Sequence, residues 1–336
     1  MVRRSVLPLL FAVVLAMPAA VPPTASGERA GTWNRADRRA VVKDGLLASA
    51  ADGRFHGERP LTAAAMQHAL SAIAMKRLVV PVTVPAKRIT VEGFHALLVR
   101  QLGLADVAAL FRKEAGRAGL RPPARFGSEV VVRLLSLRYN HPAREDRLEL
   151  FPWDPISRAE AAYSLARVAR LHVGEESYLR EIAARFVLPA YSLRQRASLR
   201  VAVAKIGMPY VWGGETDDRS TRYGPQAHGG YDCSGFVWRV FKLSGHAAGR
   251  RIAGRTAAQM AGEIPRARRV ADDSLRPTDL VFFGPARFRS RATEASITHV
   301  GIALSPDFMI HSSSQGVYVS PLNERMRSFS WARRVL

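Results

Sequence analysis

The sequence predicts an α+β protein in which a small all-α domain of helical repeats precedes a domain of helices packed on an antiparallel sheet. Three capped, amphipathic segments within residues 60–174 predict the helical domain. Short β-branched and aromatic runs, which follow two helical segments in the last 138 residues, predict the antiparallel sheet. The chain has 336 residues, which at roughly 150 residues per domain suggests two domains.

The N-terminal residues have the layout of a secretory signal peptide. Arg3 and Arg4 precede an apolar run over residues 6–17, and small residues and prolines follow. The run is shorter than the roughly 20 residues that span a bilayer, although an uncleaved anchor is the alternative. We expect residues 1–27 to be removed and the mature protein to be secreted or associated with the cell wall, with no stable membrane span.

The charge of the chain indicates polyanionic partners. There are 50 Lys and Arg against 28 Asp and Glu, a net charge of +22. Such a surface attracts polyanions over long range. Nucleic acid is not expected, because the chain carries an export signal and no recognised nucleic-acid motif. An acidic polymer of the cell envelope fits the compartment better, and an arginine-rich composition without a ligand is the alternative.

Three segments of the helical domain open in the same way. An aliphatic residue precedes a hydroxyl residue, and helically spaced apolar residues follow. The three openings are Leu61-Thr62, Ile89-Thr90 and Ile156-Ser157, and the equivalent helical positions are Leu70, Leu98 and Leu165. Each hydroxyl can cap a helix, and each aliphatic residue can pack on the first turn. Ser157 with Glu160 further predicts a capping box, and the repetition predicts a bundle over residues 60–174.

The segments that flank this bundle look less regular. Residues 28–59 are polar and rich in Arg and Gly, so we expect a loosely ordered lead-in that holds at most a short helix. Residues 175–198 are charged and amphipathic, which predicts a linker helix interrupted at Pro189. A helix that ends at Gly207 would then open the second domain, residues 199–336.

The third repeat, LFPWDPISRAEAAYSLARVARL at residues 150–171, resembles the S-layer homology repeat with its signature FxPxxxITRAE. The first two repeats match that family only in outline. The resemblance implies that the helical domain binds an anionic secondary cell-wall polymer. A bundle with ordinary caps and no ligand is the alternative, because repeats of this kind specify a fold more firmly than a binding site.

The only cysteine of the chain, Cys233, lies in the segment YDCSGFVWRVF. One cysteine cannot form an internal disulfide, so it is either a buried structural thiol or a reactive nucleophile. Asp232 is a good N-cap for the apolar helix that runs to Gly245. Cys233 would then lie in the first turn, where the helix N-terminus stabilises a thiolate, which favours the nucleophile.

A thiolate nucleophile needs a base, and the base needs an orienting group. His299 and His311 lie in two strand-like runs joined by the turn SPD. A three-residue loop centred on Pro306 would place Leu304 opposite Phe308, and both imidazoles would project from one face of the sheet. We therefore expect His299 to contact the thiol while His311 holds the imidazole of His299 from behind.

Two other histidines lie nearer to Cys233 in the sequence. His228 lies in a Gly-rich loop and His246 lies past a helix end, so we expect both to be structural or solvated. The histidines do not have the spacing of zinc ligands. No metal and no cofactor are expected.

Five motifs occur in the order and spacing of the NlpC-type cell-wall cysteine peptidases, which are bacterial papain-like enzymes: GMPYVWGG, YDCSGFVWRVF, LRPTDLVFF, HVGIAL and MIHSSS. The resemblance covers residues 199–336 and implies a papain-like catalytic domain. It implies Cys233 as the nucleophile, His299 as the general base and His311 as the orienting residue.

The same resemblance implies further roles around the thiol. Tyr210 falls where the family has a tyrosine near the oxyanion, and Asp232 and Ser234 fall where family members bind the free amine of a stem peptide. Trp212 is predicted to line the same substrate-binding site. As alternatives, Tyr210 and Trp212 are core aromatics, and Asp232 serves only as an N-cap.

Two features depart from the family pattern. The segment 215–231 inserts an extended polar loop directly before the nucleophile, and we expect it to shape the cleft. The usual PRTS motif appears here as GRTA, with Ala257 in place of the serine, which puts a serine contact at that place in doubt.

The resemblance as a whole implies an exported peptidoglycan hydrolase, a cysteine endopeptidase that cleaves stem peptides by thiolate attack and hydrolysis of an acyl-enzyme. The implied bond joins D-glutamate to the diamino acid. Two alternatives stay open: a wall-polymer-binding protein with an inactive peptidase domain, and an enzyme of the same fold that acts as an amidase or acyltransferase.

Overall fold

The computed structural model describes residues 33–221 and 224–336. The predicted signal peptide, residues 1–27, lies outside the described residues. Within the described ranges, no helix is long and apolar enough to cross a membrane.

The described part of the chain is helical in its first two thirds and mixed in its last third. The α-helices are α1 (Arg35–Lys43), α2 (Ala63–Arg77), α3 (Val91–Gln101), α4 (Ala105–Arg117), α5 (Phe126–Leu134), α6 (Arg158–Ala169), α7 (Val173–Arg185), α8 (Leu193–Ala204), α9 (Cys233–Trp238) and α10 (Ala257–Gly262). The strands are β1 (Glu215–Thr216), β2 (Ser220–Thr221), β3 (Gly224–Pro225), β4 (Gly230–Tyr231), β5 (Arg269–Val270), β6 (Leu280–Phe283), β7 (His299–Ala303), β8 (Phe308–Ser313), β9 (Gly316–Pro321) and β10 (Phe329–Arg333). The predicted α+β class is confirmed.

The three predicted helix caps are present. Thr62 Oγ1 accepts a hydrogen bond from the Ala65 N–H at 3.1 Å, and Thr90 Oγ1 accepts one from the Gly93 N–H at 3.2 Å. Ser157 Oγ caps α6 in the same way. The helical starts at α2, α3 and α6 are therefore set locally, as the repeated hydroxyls predict.

The three repeat openings also lie side by side. The Leu61 N–H donates to the carbonyl of Ile156 at 2.9 Å, and the Ile156 N–H donates to the carbonyl of Ile89 at 3.1 Å. All three aliphatic side chains are buried. The equivalent residues of the three helices, Leu70, Leu98 and Leu165, are fully buried in the bundle core.

The predicted capping box at α6 is wrong in its second half. The Glu160 carboxylate does not return to its own helix start. Its Oε2 accepts from Arg138 at 2.6 Å, and its Oε1 contacts His141 Nε2 at 2.7 Å. Both partners are buried, and a buried carboxylate is stabilised more by two nearby cationic or hydrogen-bonding groups than by one backbone N–H.

The prediction that the lead-in is loosely ordered is wrong for the part of it that the structure describes. Helix α1 packs against α6, and Val41, Leu46 and Leu47 are buried in the core. The Nδ2 of Asn34 donates to the carbonyl of Ala159 at 2.6 Å. Residues 33–59 therefore belong to the helical domain, because their few apolar side chains close its core.

The predicted interruption at Pro189 is present, because the segment over residues 175–198 contributes to two helices, α7 and α8, with Pro189 between them. The structure corrects its expected role as a linker. Helix α7 packs on α4, where Arg180 pairs with Asp106 at 2.7 Å. Phe186, which follows α7, packs edge-on against Phe308 of the sheet at 5.0 Å. The segment is thus part of the continuous core between the domains.

The central sheet has six strands in the order β5-β10-β6-β7-β8-β9, and all its described pairs are antiparallel. Helix α9 packs across β7 and β8. Ile302 pairs with Ile310 and Ala303 pairs with Met309, a register that continues to Leu304 opposite Phe308. The predicted register of the two histidine strands is confirmed.

Candidate active site

The nucleophile candidate lies at the first residue of α9. Asp232 caps this helix by accepting from the Gly235 N–H. A Cβ at position 235 would lie 1.8 Å from the Gly214 carbonyl oxygen, so the close approach of the two segments requires glycine. Cys233 is 9% exposed, and its sulfur accepts hydrogen bonds from the backbone of Val300 and Ser234. The thiol is thus held against the start of β7, one residue from His299.

The two predicted histidines contact each other on the strands that pack against α9. His299 Nε2 lies 2.7 Å from His311 Nδ1, and their rings are nearly perpendicular. His311 is fully buried, and its Nε2 lies 3.0 Å from the Oγ of Ser320 on β9. The three side chains form a hydrogen-bonded row across β7, β8 and β9. Residue 320 has no signal in the sequence beyond its place in a strand.

The electrostatics favour the neutral thiol of Cys233 and the neutral imidazole of His299 when no substrate is bound. Burial, followed by the charge of Asp232, raises the pKa of the Cys233 thiol to about 12. Burial, with a smaller contribution from Arg325, lowers the pKa of His299 to about 3. The predicted stabilisation of a thiolate by the helix N-terminus is therefore outweighed by burial. A neutral imidazole is free to act as a base toward a neutral thiol.

Tyr210 lies near enough to Cys233 to interact with it electrostatically, and its expected role near the oxyanion stays a prediction. Burial, with the nearby Cys233 and Asp232, raises the pKa of the Tyr210 hydroxyl, which stays protonated and able to donate. Asn140 of the helical domain holds its backbone on both sides. Asn140 Oδ1 accepts from the Tyr210 N–H at 2.7 Å, and Asn140 Nδ2 donates to the Tyr210 carbonyl at 3.0 Å.

Trp212 is not a core residue. Its side chain is 71% exposed, which excludes the core alternative. Its carbonyl accepts from Gln226 Nε2 at 3.1 Å, and the carboxylate of Asp146 lies near its backbone. Burial raises the pKa of Asp146 to about 6. Asn140 and Asp146 escaped the sequence analysis because only domain packing brings them to the cleft.

Asp232 and Ser234 are bound by Arg255, the arginine of the GRTA motif. Arg255 Nη1 lies 3.2 Å from Asp232 Oδ1 and 2.8 Å from Ser234 Oγ, and its Nε donates to Glu215 Oε2 at 2.9 Å. Arg255 therefore lies between two carboxylates and neutralises part of their charge. The expected binding of a peptide amine by Asp232 and Ser234 stays a prediction.

The loop over residues 215–231 is tied down at its base. Strands β1 and β4 pair there, with Glu215 opposite Tyr231. The Tyr231 hydroxyl donates to Asp217 Oδ1, and Lys205 pairs with the other oxygen of Asp217. His228 is buried and packs on Phe151 of the helical domain, 4.3 Å between ring centroids.

Comparisons with known proteins agree with the C-terminal geometry. Residues 207–334 match the model of the NlpC/P60 family. The chain is 32% identical over 122 residues to the probable peptidoglycan endopeptidase LytE of Bacillus subtilis, covering 36% of this chain and 28% of that protein. It is 30% identical over 112 residues to the gamma-D-glutamyl-L-lysine dipeptidyl-peptidase of the same organism, covering 33% of this chain and 29% of that protein.

A similar solved structure is the NlpC/p60 domain of the peptidoglycan hydrolase SagA. It is 27% identical, with a TM-score of 0.29, and the match covers 42% of this chain and 97% of that domain. The chain thus spans less than a third of the two curated relatives that it matches. The C-terminal resemblance is confirmed over residues 207–334. The resemblance of the helical domain to S-layer homology repeats stays a prediction.

Proposed function

We propose that the protein is a cysteine peptidase that hydrolyses the stem peptides of peptidoglycan. One observation carries the proposal: His299, His311 and Ser320 form a hydrogen-bonded row on the strands against which helix α9 packs, and the only cysteine of the sequence is the first residue of that helix. The match of residues 207–334 to the NlpC/P60 family supports it, as do two relatives that are named as peptidases.

The proposed reaction begins from a neutral thiol and a neutral imidazole. His299 takes the proton of Cys233 while the sulfur attacks the scissile carbonyl carbon. The resulting oxyanion accepts hydrogen bonds from the Cys233 N–H and the Tyr210 hydroxyl. His299 then gives its proton to the leaving amine, and the C–N bond breaks. A water molecule, deprotonated by His299, hydrolyses the thioester and restores the thiol.

We propose the bond between D-glutamate and the diamino acid as the one that is cleaved. The name of the gamma-D-glutamyl-L-lysine dipeptidyl-peptidase supports this choice. Export by a signal peptide over residues 1–27 is part of the same proposal, because the substrate lies outside the cell membrane.

Attachment to an anionic wall polymer is the proposed role of the helical domain. A cavity of about 590 Å³ lies at the starts of α3 and α5. Its lining includes Lys87, Arg88, Arg100 and Arg125, with one acidic residue, Glu92. A concave surface with this excess of cations suits a polymer of negative charge.

The test is digestion of purified peptidoglycan with the wild type and with the Cys233→Ala variant, followed by mass spectrometry of the released fragments. We expect fragments cut after D-glutamate with the wild type only. Circular dichroism of the variant checks that the fold is intact. Equal cleavage by both proteins would exclude the thiol mechanism.

The same experiment separates the alternatives. If the wild type binds walls but releases nothing, the protein is a binding module with an inactive peptidase domain. If fragments appear at a different amide, or as products joined to an added amine, the domain is an amidase or an acyltransferase.

A further inference from the structure

Two tryptophans are exposed at the edge of the catalytic cleft. Trp153 is 51% exposed and Trp212 is 71% exposed, whereas Trp238 and Trp331 are buried in the core. Indole rings are usually well buried in a folded protein, because they carry a large apolar surface. Exposed rings of this size that lie near one another are typical of a binding surface.

Both tryptophans border the same short segment, residues 226–228. The Trp212 carbonyl accepts from Gln226 Nε2 at 3.1 Å. On the other side, His228 packs on Phe151, and Phe151 stacks on Trp153 with 4.9 Å between centroids and 19° between planes. Trp212 comes from the catalytic domain and Trp153 comes from the helical domain. The two domains therefore contribute one exposed ring each to one edge.

Each tryptophan is tied to a neighbouring residue, Trp212 through its backbone and Trp153 through its ring. The Trp212 carbonyl accepts from Gln226. Trp153 stacks on the ring of Phe151. The backbone N–H of Phe151 donates to Asp154 Oδ2 at 2.8 Å. Because these contacts already order the two residues, little further conformational freedom is lost when a ligand binds, which favours affinity.

The edge is continuous with the catalytic centre. The Asp232 N–H donates to the Gly214 carbonyl at 3.0 Å, and the Val211 N–H donates to the Tyr231 carbonyl at 3.3 Å. The segment that carries Trp212 is thus hydrogen-bonded to the residues that directly precede the thiol. We therefore expect a group attached to a substrate at Cys233 to extend toward the exposed rings.

The ligand that suits two uncharged aromatic faces is a carbohydrate. A pyranose ring has an apolar face of C–H groups, which buries against indole, while its hydroxyls stay in water at the edges. In peptidoglycan a sugar is covalently attached to the stem peptide. In addition, Asp232 was expected to bind a free peptide amine. Its carboxylate is instead paired with Arg255, which leaves it less available to such an amine.

We infer that Trp153 and Trp212 form a platform for sugar rings of the glycan strand, so that the enzyme takes stem peptides that are still attached to their glycan. The inference rests on the proposed function, and it specifies the form of the substrate. Free stem peptides, which lack the sugar, are then the poorer substrates.

The experiment compares kcat/KM for two soluble substrates, a disaccharide-peptide and the same peptide without its sugars. We expect the wild type to prefer the disaccharide-peptide by about tenfold, because stacking on an aromatic face contributes roughly that much to binding. Trp153→Ala should lower this preference by about three- to tenfold, mainly through KM. Trp153→Phe, which keeps an aromatic face, should restore most of it.

The matched control is Leu193→Ala at the start of α8, a side chain of 79% exposure outside the cleft. This variant should keep the wild-type preference. As a second readout, peptide-free glycan strands are titrated into the Cys233→Ala protein, with tryptophan fluorescence as the signal. The signal should change in this protein and be lost when Trp153→Ala and Trp212→Ala are added.

The outcomes separate this inference from the proposed function. Equal cleavage of both substrates, or a preference for the free peptide, would overturn the platform and leave the peptidase intact. Cleavage of neither substrate would contradict the peptidase, and the fluorescence titration would then decide the platform by itself. A titration without any change would overturn it.

Discussion

The Nε2 atom of His299 lies 2.7 Å from the Nδ1 atom of His311, and this contact defines the tautomers of both rings. If the Nδ1 of His299 is to accept the proton of Cys233, its Nε2 must carry a hydrogen and donate it to His311. His311 must then carry its own hydrogen on Nε2, which lies 3.0 Å from Ser320 Oγ. A serine hydroxyl can accept that hydrogen bond, so the row has one consistent arrangement of protons.

The first prediction concerns His311. His311→Ala should lower kcat by about 100-fold or more, because His299 loses the acceptor that holds its ring and its tautomer. His311→Asn keeps a short acceptor at this place and should retain more activity than the alanine variant. Steady-state kinetics on a disaccharide-peptide measures both. Equal activities of the two variants would show that the acceptor has no role.

The second prediction concerns Ser320. Ser320→Ala removes the acceptor for His311 Nε2–H and should lower kcat by about tenfold while leaving KM unchanged. Ser330→Ala on β10 is the matched control, because among the described residues the buried Ser330 Oγ has no hydrogen-bond partner. The control should behave like the wild type. A fall in both variants would indicate general damage to the sheet.

The third prediction concerns the reactivity of the thiol. Because burial raises the pKa of Cys233 to about 12, the rate of alkylation by iodoacetamide should rise about 100-fold between pH 7 and pH 9 without a plateau. The protein unfolded in urea should instead level off near pH 9. A plateau below pH 7 in the native protein would indicate a resting thiolate–imidazolium pair, contrary to the neutral pair.

The fourth prediction concerns the clamp between the domains. Asn140→Ala removes both hydrogen bonds to the Tyr210 backbone and should lower kcat by about tenfold, because the Tyr210 hydroxyl shifts away from the oxyanion. Asn140→Asp keeps the acceptor for the Tyr210 N–H and should lose less. Alkylation of Cys233 should be the same in both variants, since the thiol itself is not moved. An unchanged kcat in the alanine variant would contradict a positioning role.

The fifth prediction concerns the packing of α4 on α5. A Cβ at position 127 would lie 1.9 Å from the Ala108 carbonyl oxygen, so Gly127→Ala must push the two helices apart. We expect a loss of about 2 kcal/mol or more in the free energy of unfolding. Gly116→Ala in α4 is the control, because nothing lies within 4 Å of that Cβ. It should stabilise the protein by about 0.5–1 kcal/mol, and urea unfolding measures both.

Several features could be predicted from residues that are near one another in the chain. The hydroxyls of Thr62, Thr90 and Ser157 cap helices whose N–H groups lie three residues away. The register of β7 and β8 follows from a tight turn and the two-residue period of a strand. That register brings His299 and His311 onto one face, so this part of the site could be derived without a structure.

Other features could not be predicted, because the partners are far apart in the chain. Glu160 was expected to cap its own helix, but buried Arg138 and His141 bind it instead. Residues 28–59 were expected to be loosely ordered and residues 175–198 to form a linker, but the apolar residues of their described parts complete the core. Local patterns describe what a segment can do alone, whereas burial decides which partner it meets.

By itself, the sequence determined the α+β class, the helix starts and the strand register, and it predicted the candidate set Cys233, His299 and His311, because each depends on short-range geometry or on an ordered set of motifs. Only the tertiary structure decided that Asn140 holds the Tyr210 backbone, that Arg255 pairs with Asp232, and that burial raises the pKa of the Cys233 thiol. These are contacts over 20 to 70 residues, or effects of desolvation, and both arise only when distant segments of the chain pack together.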